Sequence, residues 1–256
     1  MNFHNFAKSH RSIRKYKEKK VPVEILDKIL ETGTMASTSG NMQAYSIIVT
    51  TDKELKKELL VPHFNQEMVT QAPVLITFCA DFHRMREWVR ISGGENNFDN
   101  FMSFMIASID ATLASQNVAL AAEAEGLGIC YMGTTLASCD EIGRILKLPQ
   151  NVVPIVGFSL GYPDETPEFR ERLPMDAVIH RETYQHSSTE EIKEIYSKKE
   201  ESGFKRYMEV PELREKIESL GIDNLAKIYT TLKYTEESHI GYSKTVLDYI
   251  SSQNFM

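Results

Sequence analysis

The longest apolar stretch of the chain runs from Phe98 to Gly128, "FDNFMSFMIASIDATLASQNVALAAEAEGLG". It contains no proline, and no glycine before Gly126, so it predicts one long helix over about residues 98–125 that ends at the glycines. One face of this helix has small side chains that would let another helix approach closely: Ala107, Ala111, Ala114, Ala121 and Ala122. The pattern fits packing in the core of one subunit and packing at a subunit interface, and the sequence leaves both open.

Apolar segments with the length of β-strands occur at 44–52, 72–81, 128–133 and 152–163. Helical patterns occur before and between them, at 22–35, 53–60 and 139–149. We therefore predict an α+β, three-layer fold with one mixed central sheet of about four to five strands flanked by helices. Residues 1–185 form the predicted core. Residues 186–256 are charge-rich and helical in pattern, and they predict a C-terminal extension that docks on the core or on a partner chain.

Composition argues against several classes of function. The formal net charge is −7 and the pI is about 5.6, which disfavours nucleic-acid binding. The N-terminus lacks the apolar region of a signal peptide, and no apolar run reaches the roughly 20 residues that span a bilayer, so we expect a cytoplasmic protein without membrane association. Neither the three cysteines nor the seven histidines have metal-ligand spacing, so no metal site is expected.

Two glycine-containing motifs resemble catalytic or cofactor-binding signatures. The segment "GFSLG", Gly157–Gly161, matches the G-x-S-x-G nucleophile elbow of serine hydrolases, but two prolines follow where that motif needs a helix. The sequence favours Ser159 as a residue packed inside a strand, with a serine hydrolase as the rival. In "EGLGICYMG" the glycines follow a helix and precede a strand, the reverse of the order in a dinucleotide-binding fingerprint.

Three polar segments suggest a phosphorylated ligand. The stretch "SHRSIRKYKEKK", Ser9–Lys20, has six Lys or Arg residues in twelve positions, and Arg11 and Arg14 flank Ser12 in a spacing that suits a terminal phosphate. The loop "STSGNMQ", residues 37–43, offers neutral donors and acceptors suited to a heterocycle or a ribityl chain. A third segment, "RERLP", contains Arg170 and Arg172.

In this order the segments resemble the FMN-dependent nitroreductase superfamily, and within it the branch of NADPH-dependent, oxygen-insensitive nitroreductases and flavin reductases. The resemblance covers most of residues 8–180 and rests on "HRSIRKYKEKKVP", "STSGNMQAYSIIVTTD", "FNQEMVTQAPVLITFCADF", "AEGLGICYMGTT" and "LKLPQNVVPIVGFSLGYPDETPEFRERLP". It implies a nitroreductase-like three-layer fold with a helical C-terminal arm and a domain-swapped homodimer that binds FMN at its interface.

The resemblance also implies roles for individual residues. "HRSIR" would hold the FMN phosphate and ribityl chain, Gln66 would reach the isoalloxazine ring, and the polar loop would approach the flavin from the other subunit. The backbone of Met132 and Gly133 would face the flavin N5 region. The full set of implied flavin contacts is His10, Arg11, Ser12, Arg14, Ser37, Thr38, Ser39, Gln43, Gln66, Met132, Gly133, Arg170 and Arg172.

The implied chemistry is a ping-pong reaction in which NADPH reduces bound FMN at N5 and the flavin then reduces a nitroaromatic, a quinone or free flavin. No protein side chain acts as a catalytic residue in this scheme, because the cofactor supplies the chemistry. Lys205 and Arg206 are candidates for contacting the NADPH 2′-phosphate. A flavin-binding protein without catalytic activity is a second rival.

Overall fold

Helices and strands alternate through the first two thirds of the chain in the computed structural model, which describes residues 2–256. The elements up to the last strand are α1 (Phe3–Lys8), α2 (Val23–Thr34), β1 (Tyr45–Thr50), α3 (Lys53–Leu60), α4 (Met68–Gln71), β2 (Val74–Asp81), α5 (His83–Ile91), α6 (Phe101–Ala124), β3 (Gly128–Tyr131), α7 (Thr134–Ala137), α8 (Cys139–Ile145) and β4 (Val152–Gly161). Four further helices follow: α9 (Thr189–Met208), α10 (Pro211–Ser219), α11 (Leu225–Ile228) and α12 (Glu236–Ser252).

The helix α6 begins close to the predicted position because Asn100 caps it. The Asn100 side chain accepts a hydrogen bond from the Ser103 N–H, which satisfies a donor that the first helical turn leaves free. Its small residues Ala107, Ala111, Ala114 and Ala122 are fully buried within this chain. The helix that lies close against α6 is α2, since a Cβ added to its Gly33 would overlap the Val118 side chain of α6. The alanine face is therefore core packing.

The sheet has the strand order β1-β2-β4-β3, and all three strand pairs are antiparallel. The number of strands agrees with the prediction. The parallel pairing of the predicted mixed sheet is confined to an isolated bridge between Ser12 and Ile129. This order places β1 and β3 at opposite edges of the sheet.

Side chains of the sheet alternate between two helical layers, as a strand buried on both faces requires. Ile76, Phe78 and Phe158 pack with residues of α2 and α6, such as Ile29 and Val118. The other face packs against α3, α4 and α8, through Leu75, Leu59, Val69, Cys130 and Ile142. These two clusters confirm the predicted three-layer arrangement.

The described chain divides into two compact units. One unit comprises the chain up to Glu168 together with Tyr242–Met256, and the other comprises Phe169–Gly241. The end of the chain belongs to the first unit because Ile250 and Phe255 are buried there beside Phe82 and Phe104. Within the second unit, Ile217, Ile222 and Ile228 form a small apolar cluster. The boundary predicted at 185/186 falls inside the second unit, and the packing of an extension on a partner subunit stays a prediction.

Within residues 2–256, α6 is the one helix long and apolar enough to cross a bilayer by length and composition. Its buried face packs on α2 and the sheet and includes Asp110, which is 0% exposed. Core helices of this kind have the same apolar composition, so the helix is weak evidence for a membrane span.

Candidate functional site

The basic segment of residues 9–17 lies along the edge strand β3. The Ile13 N–H donates to the Ile129 carbonyl at 2.9 Å, and Ser12 forms a bridge with the same residue. Gly128 makes this approach feasible, because a Cβ there would lie 2.5 Å from the Ile13 side chain. Ile13 and Tyr16 are buried. Anchoring through these two residues fixes the segment against the sheet while Arg14 stays exposed.

Both arginines of the basic segment are arranged by their own backbone. The Arg11 guanidinium donates from Nη1 to the carbonyls of Ser9 and His10, each at 2.9 Å. Nη1 of Arg14 donates to the Ser12 carbonyl at 3.3 Å. A guanidinium has five N–H donors in a planar fork, which is the geometry that suits a phosphate or carboxylate.

Two glutamates contact the basic segment, and the sequence pattern did not reveal either. Oε1 of Glu165 accepts hydrogen bonds from the backbone N–H of Arg14 at 2.5 Å and of Lys15 at 3.1 Å. Oε1 of Glu123, on α6, lies 2.5 Å from Nδ1 of His10. Both contacts join residues more than one hundred positions apart, so no local spacing could indicate them. The Glu165 carboxylate shows that the backbone amides here accommodate an anionic oxygen.

The polar loop of residues 37–43 is held by the buried carboxylate of Asp110, a contact that the sequence does not reveal. Oδ1 of Asp110 accepts from the Ser39 N–H at 2.9 Å, and Oδ2 accepts from the Ala44 N–H at 3.3 Å. Arg84 donates to the Gln43 carbonyl at 2.9 Å. The one signal in the sequence was an acidic residue inside an otherwise alanine-rich helix. Among the predicted contacts of this loop, Ser37 and Gln43 are exposed and Thr38 and Ser39 are partly buried.

Gln66 lies in a tight turn between α3 and α4. Its N–H donates to the His63 carbonyl at 3.2 Å, and its own carbonyl accepts from the Val69 N–H at 2.9 Å. The His63 side chain is 1% exposed, and its Nδ1 lies 2.8 Å from the hydroxyl of Thr134. Burial lowers the pKa of His63 from 6.5 to about 4, so the imidazole is neutral at neutral pH.

The turn after β3 contains Met132 and Gly133. The Met132 N–H donates to the Gly157 carbonyl of β4 at 2.8 Å, so that group continues the pairing of the sheet. Gly133 is exposed and precedes α7. The Met132 hydrogen bond fixes the position of this turn, and the backbone contacts of Met132 and Gly133 with a flavin stay a prediction.

The fold brings together three of the predicted segments. The basic segment lies on β3, the Met132–Gly133 turn follows β3, and the Gln66 turn is tied to Thr134 through His63. The polar loop leads into β1, at the opposite edge of the sheet. Within one chain, the structure therefore joins the first three segments and separates them from the fourth.

The remaining candidates lie in the second unit. Arg170 and Arg172 are exposed, and Nη1 of Arg172 donates to the Arg170 carbonyl at 3.2 Å. Lys205 and Arg206 lie in the last turn of α9, where cations interact favourably with the helix dipole.

The serine-hydrolase interpretation is wrong. Ser159 is 0% exposed, lies inside β4 and pairs with Leu75 on one side and Cys130 on the other. Its hydroxyl lies 2.7 Å from the hydroxyl of Tyr16, whose pKa burial raises. A nucleophile elbow needs a serine on an exposed turn before a helix, and β4 continues past this residue.

Among the described residues 2–256, no group of three or more His, Cys, Asp or Glu side chains could hold a metal ion.

Comparison with known proteins decides the family. The model of the Nitroreductase family matches residues 7–68 and 60–162, more than half of the chain. The chain belongs to the nitroreductase family. An FMN reductase (NADPH) from Bacillus subtilis (strain 168) is 38% identical over 178 residues, which is 69% of this chain and 72% of the relative. This membership confirms the resemblance found in the sequence.

Solved structures agree with the family. A crystal structure of a protein from Bacteroides fragilis NCTC 9343 superimposes with a TM-score of 0.90 at 38% identity, covering 98% of this chain and 99% of the other. The NADPH:FMN oxidoreductase from Vibrio harveyi complexed with NAD+ has a TM-score of 0.77 at 28% identity, covering 98% of this chain and 97% of that chain. These matches confirm the predicted nitroreductase-like fold.

Proposed function

We propose that this nitroreductase-family protein is an FMN-dependent oxidoreductase that takes hydride from NADPH and passes it to nitroaromatics, quinones or free flavin. The proposal rests on one observation: three segments suited to the phosphate, the isoalloxazine ring and the N5 region of a flavin meet at the β3 edge of the sheet. Family membership and the named activities of the relatives, FMN reductase (NADPH) and NADPH:FMN oxidoreductase, support the enzyme class and the cofactor pair.

The donors at this edge fit FMN. Arg11 and Arg14 offer guanidinium groups, and Ser12 offers a hydroxyl, to the phosphate and the ribityl chain. His10 lies next to Arg11 in the chain, and its ring contacts the Glu123 carboxylate. Gln66 and the backbone of Gly133 supply neutral donors for the ring. Bound FMN supplies the hydride chemistry in both half-reactions. The chain's own residues hold and orient it, and a cation or N–H donor beside the pyrimidine side stabilises the negative charge that reduction places there.

We further propose that the protein works as a homodimer. The exposed face of α6 has a line of large apolar side chains at helical spacing: Met102, Met105, Ile109 and Leu113. Such a patch is typical of a protein interface. The polar loop lies at the opposite sheet edge from the basic segment, so the loop of a second copy would complete each site. Two-fold pairing then gives two equivalent sites, each built from both chains.

The resemblance to the family assigns roles to four cations of the second unit. Arg170 and Arg172 would contact the FMN phosphate or the pyrimidine edge, and Lys205 and Arg206 would contact the NADPH 2′-phosphate. A cytoplasmic location would supply the reduced NADPH. No buried acid or base is required, because water can deliver the protons that the acceptor takes up.

An absorbance spectrum with matched variants tests this proposal. The purified wild-type protein, incubated with FMN and gel-filtered, should keep a flavin band that bleaches on anaerobic addition of NADPH and returns with a quinone. Arg14→Ala should raise the FMN dissociation constant about tenfold or more, whereas Lys20→Ala, an exposed lysine beyond the basic segment, should change it by less than about twofold. A wild-type protein without bound flavin would refute the proposal. A flavin that NADPH bleaches no faster than free FMN would indicate a binding protein instead.

A further inference from the structure

His63 is a buried polar residue that the proposed reaction does not use. Its side chain is 1% exposed and makes one side-chain hydrogen bond, between Nδ1 and the Thr134 hydroxyl at 2.8 Å. Thr134 is 8% exposed. A buried imidazole without partners would cost free energy, and the contact with Thr134 satisfies Nδ1.

The contact joins two turns that the proposed function places on the flavin. On one side, the His63 carbonyl accepts the Gln66 N–H at 3.2 Å, so the histidine holds the Gln66 turn by its backbone. On the other side, Thr134 directly follows Gly133 in the chain. A continuous series of bonds thus runs from Gln66 through His63 and Thr134 to the turn after β3.

The Gln66 turn has a costly backbone conformation, held in part by the Phe64 and Asn65 N–H groups, which donate to the Val61 and Leu60 carbonyls at 2.8 and 2.9 Å. Phe64 and Asn65 have φ angles of +56° and +55°, in the left-handed region that non-glycine residues adopt at a cost. Two such residues in succession persist only where the surroundings fix them. The Phe64 ring stacks on Tyr242 with the ring centres 6.0 Å apart. The His63 side chain adds a polar contact from the buried side, to the Thr134 hydroxyl.

We propose that His63 is a positioning residue that sets the separation of Gln66 and Gly133 through its hydrogen bond to Thr134. This inference rests on the proposed function, since both turns are taken to contact the flavin. His63 itself touches no ligand. As a neutral imidazole it offers one donor and one acceptor, which suits a hydroxyl that can do either. It adds no charge to the site, so its effect is geometric.

Four single variants test the inference, together with the double variant that combines Thr134→Val and His63→Leu. Thr134→Val removes the hydroxyl and keeps the branched shape, and His63→Leu removes the ring nitrogens. Thr134→Ser and His63→Asn each keep a polar group near the original position and serve as matched controls. For each protein we would measure the melting temperature without FMN, the FMN dissociation constant by fluorescence quenching, and flavin bleaching by NADPH in a stopped-flow instrument with FMN saturating.

We expect Thr134→Val and His63→Leu each to raise the FMN dissociation constant about five- to tenfold, the range that one buried hydrogen bond allows. Bleaching at saturating NADPH should slow by a similar factor, while the NADPH concentration giving half the maximal rate changes by less than about twofold. The double variant should match the single ones, because both remove the same contact. Thr134→Ser and His63→Asn should stay within about twofold to threefold of wild type.

A lower melting temperature with unchanged FMN affinity and unchanged bleaching would overturn the inference, since His63 would then only stabilise the fold. Additive effects in the double variant would also overturn it. If the wild-type protein binds no FMN, the proposed function fails and this inference fails with it. If the wild type binds FMN and the variants bind it equally well, the inference fails alone.

Discussion

The buried carboxylate of Asp110 should control the stability of the polar loop, and Asp110→Asn tests this. Hydrogen bonds to a charged group contribute about 1.5–3 kcal/mol each. The asparagine keeps one acceptor oxygen, which we expect to stay on the shorter bond to Ser39 at 2.9 Å. Its amide group then faces the Ala44 N–H, now 3.3 Å from the carboxylate, and leaves that donor without an acceptor. Because the lost bond is the longer of the two, we expect a loss of about 2 kcal/mol.

Urea and thermal unfolding measure this loss. For a chain of this size, about 2 kcal/mol corresponds to a fall in melting temperature of about 4–8 °C. Asp27→Asn, on the exposed face of α2, is the matched control and should change stability by less than about 0.5 kcal/mol. Amide hydrogen exchange should accelerate at Ala44 in the Asp110 variant. Equal stability of the two variants, with unchanged exchange at Ala44, would refute the role assigned to Asp110.

Three further outcomes are expected. Burial keeps His63 neutral in the folded protein down to about pH 4, whereas the same histidine in the unfolded chain takes up a proton below about pH 6.5. The free energy of unfolding should therefore fall by about 3 kcal/mol as the pH drops from 6.5 to 4. In urea titrations, His63→Asn should lack this part of the pH dependence. Gly128→Ala, whose added methyl would lie 2.5 Å from a side-chain carbon of the basic segment, should destabilise the fold by about 1–3 kcal/mol and weaken FMN binding, whereas Gly241→Ala, with open space around it, should do neither. Ser159→Ala should keep NADPH-dependent reduction within about twofold and cost about 1 kcal/mol in unfolding, and a loss of turnover greater than tenfold would contradict the buried position of this serine.

The elements of the fold were largely predictable, because each depends on local pattern. The long helix is predicted over 98–125 and observed over Phe101–Ala124, since the capping Asn100 and the terminal glycines lie in the sequence itself. The buried strand β2 follows from its uniformly apolar composition. The strand order and the antiparallel pairing were not predictable, because they depend on contacts between residues far apart in the chain.

In the candidate site too, the residues of contiguous motifs were predictable and the residues that act through distant contacts were not. Arg11 and Arg14 could be identified because the motif that contains them is contiguous. Asp110, Glu165 and His63 could not, since each acts through a residue at least 66 positions away and no local spacing marks the pair. The hydrogen bond of the Met132 N–H to β4 was not predictable either, because strand pairing continues one residue beyond the end of β3.

The placement of the basic segment and the polar loop at opposite edges of the sheet has a genetic consequence. In the proposed dimer, a chain with a defective basic segment and a chain with a defective polar loop would each be inactive when paired with an identical copy. Mixed in one dimer, the two chains would place both defects in one site and leave the other site intact. Two loss-of-function alleles of this protein, expressed together, would therefore restore part of the activity that neither supports alone.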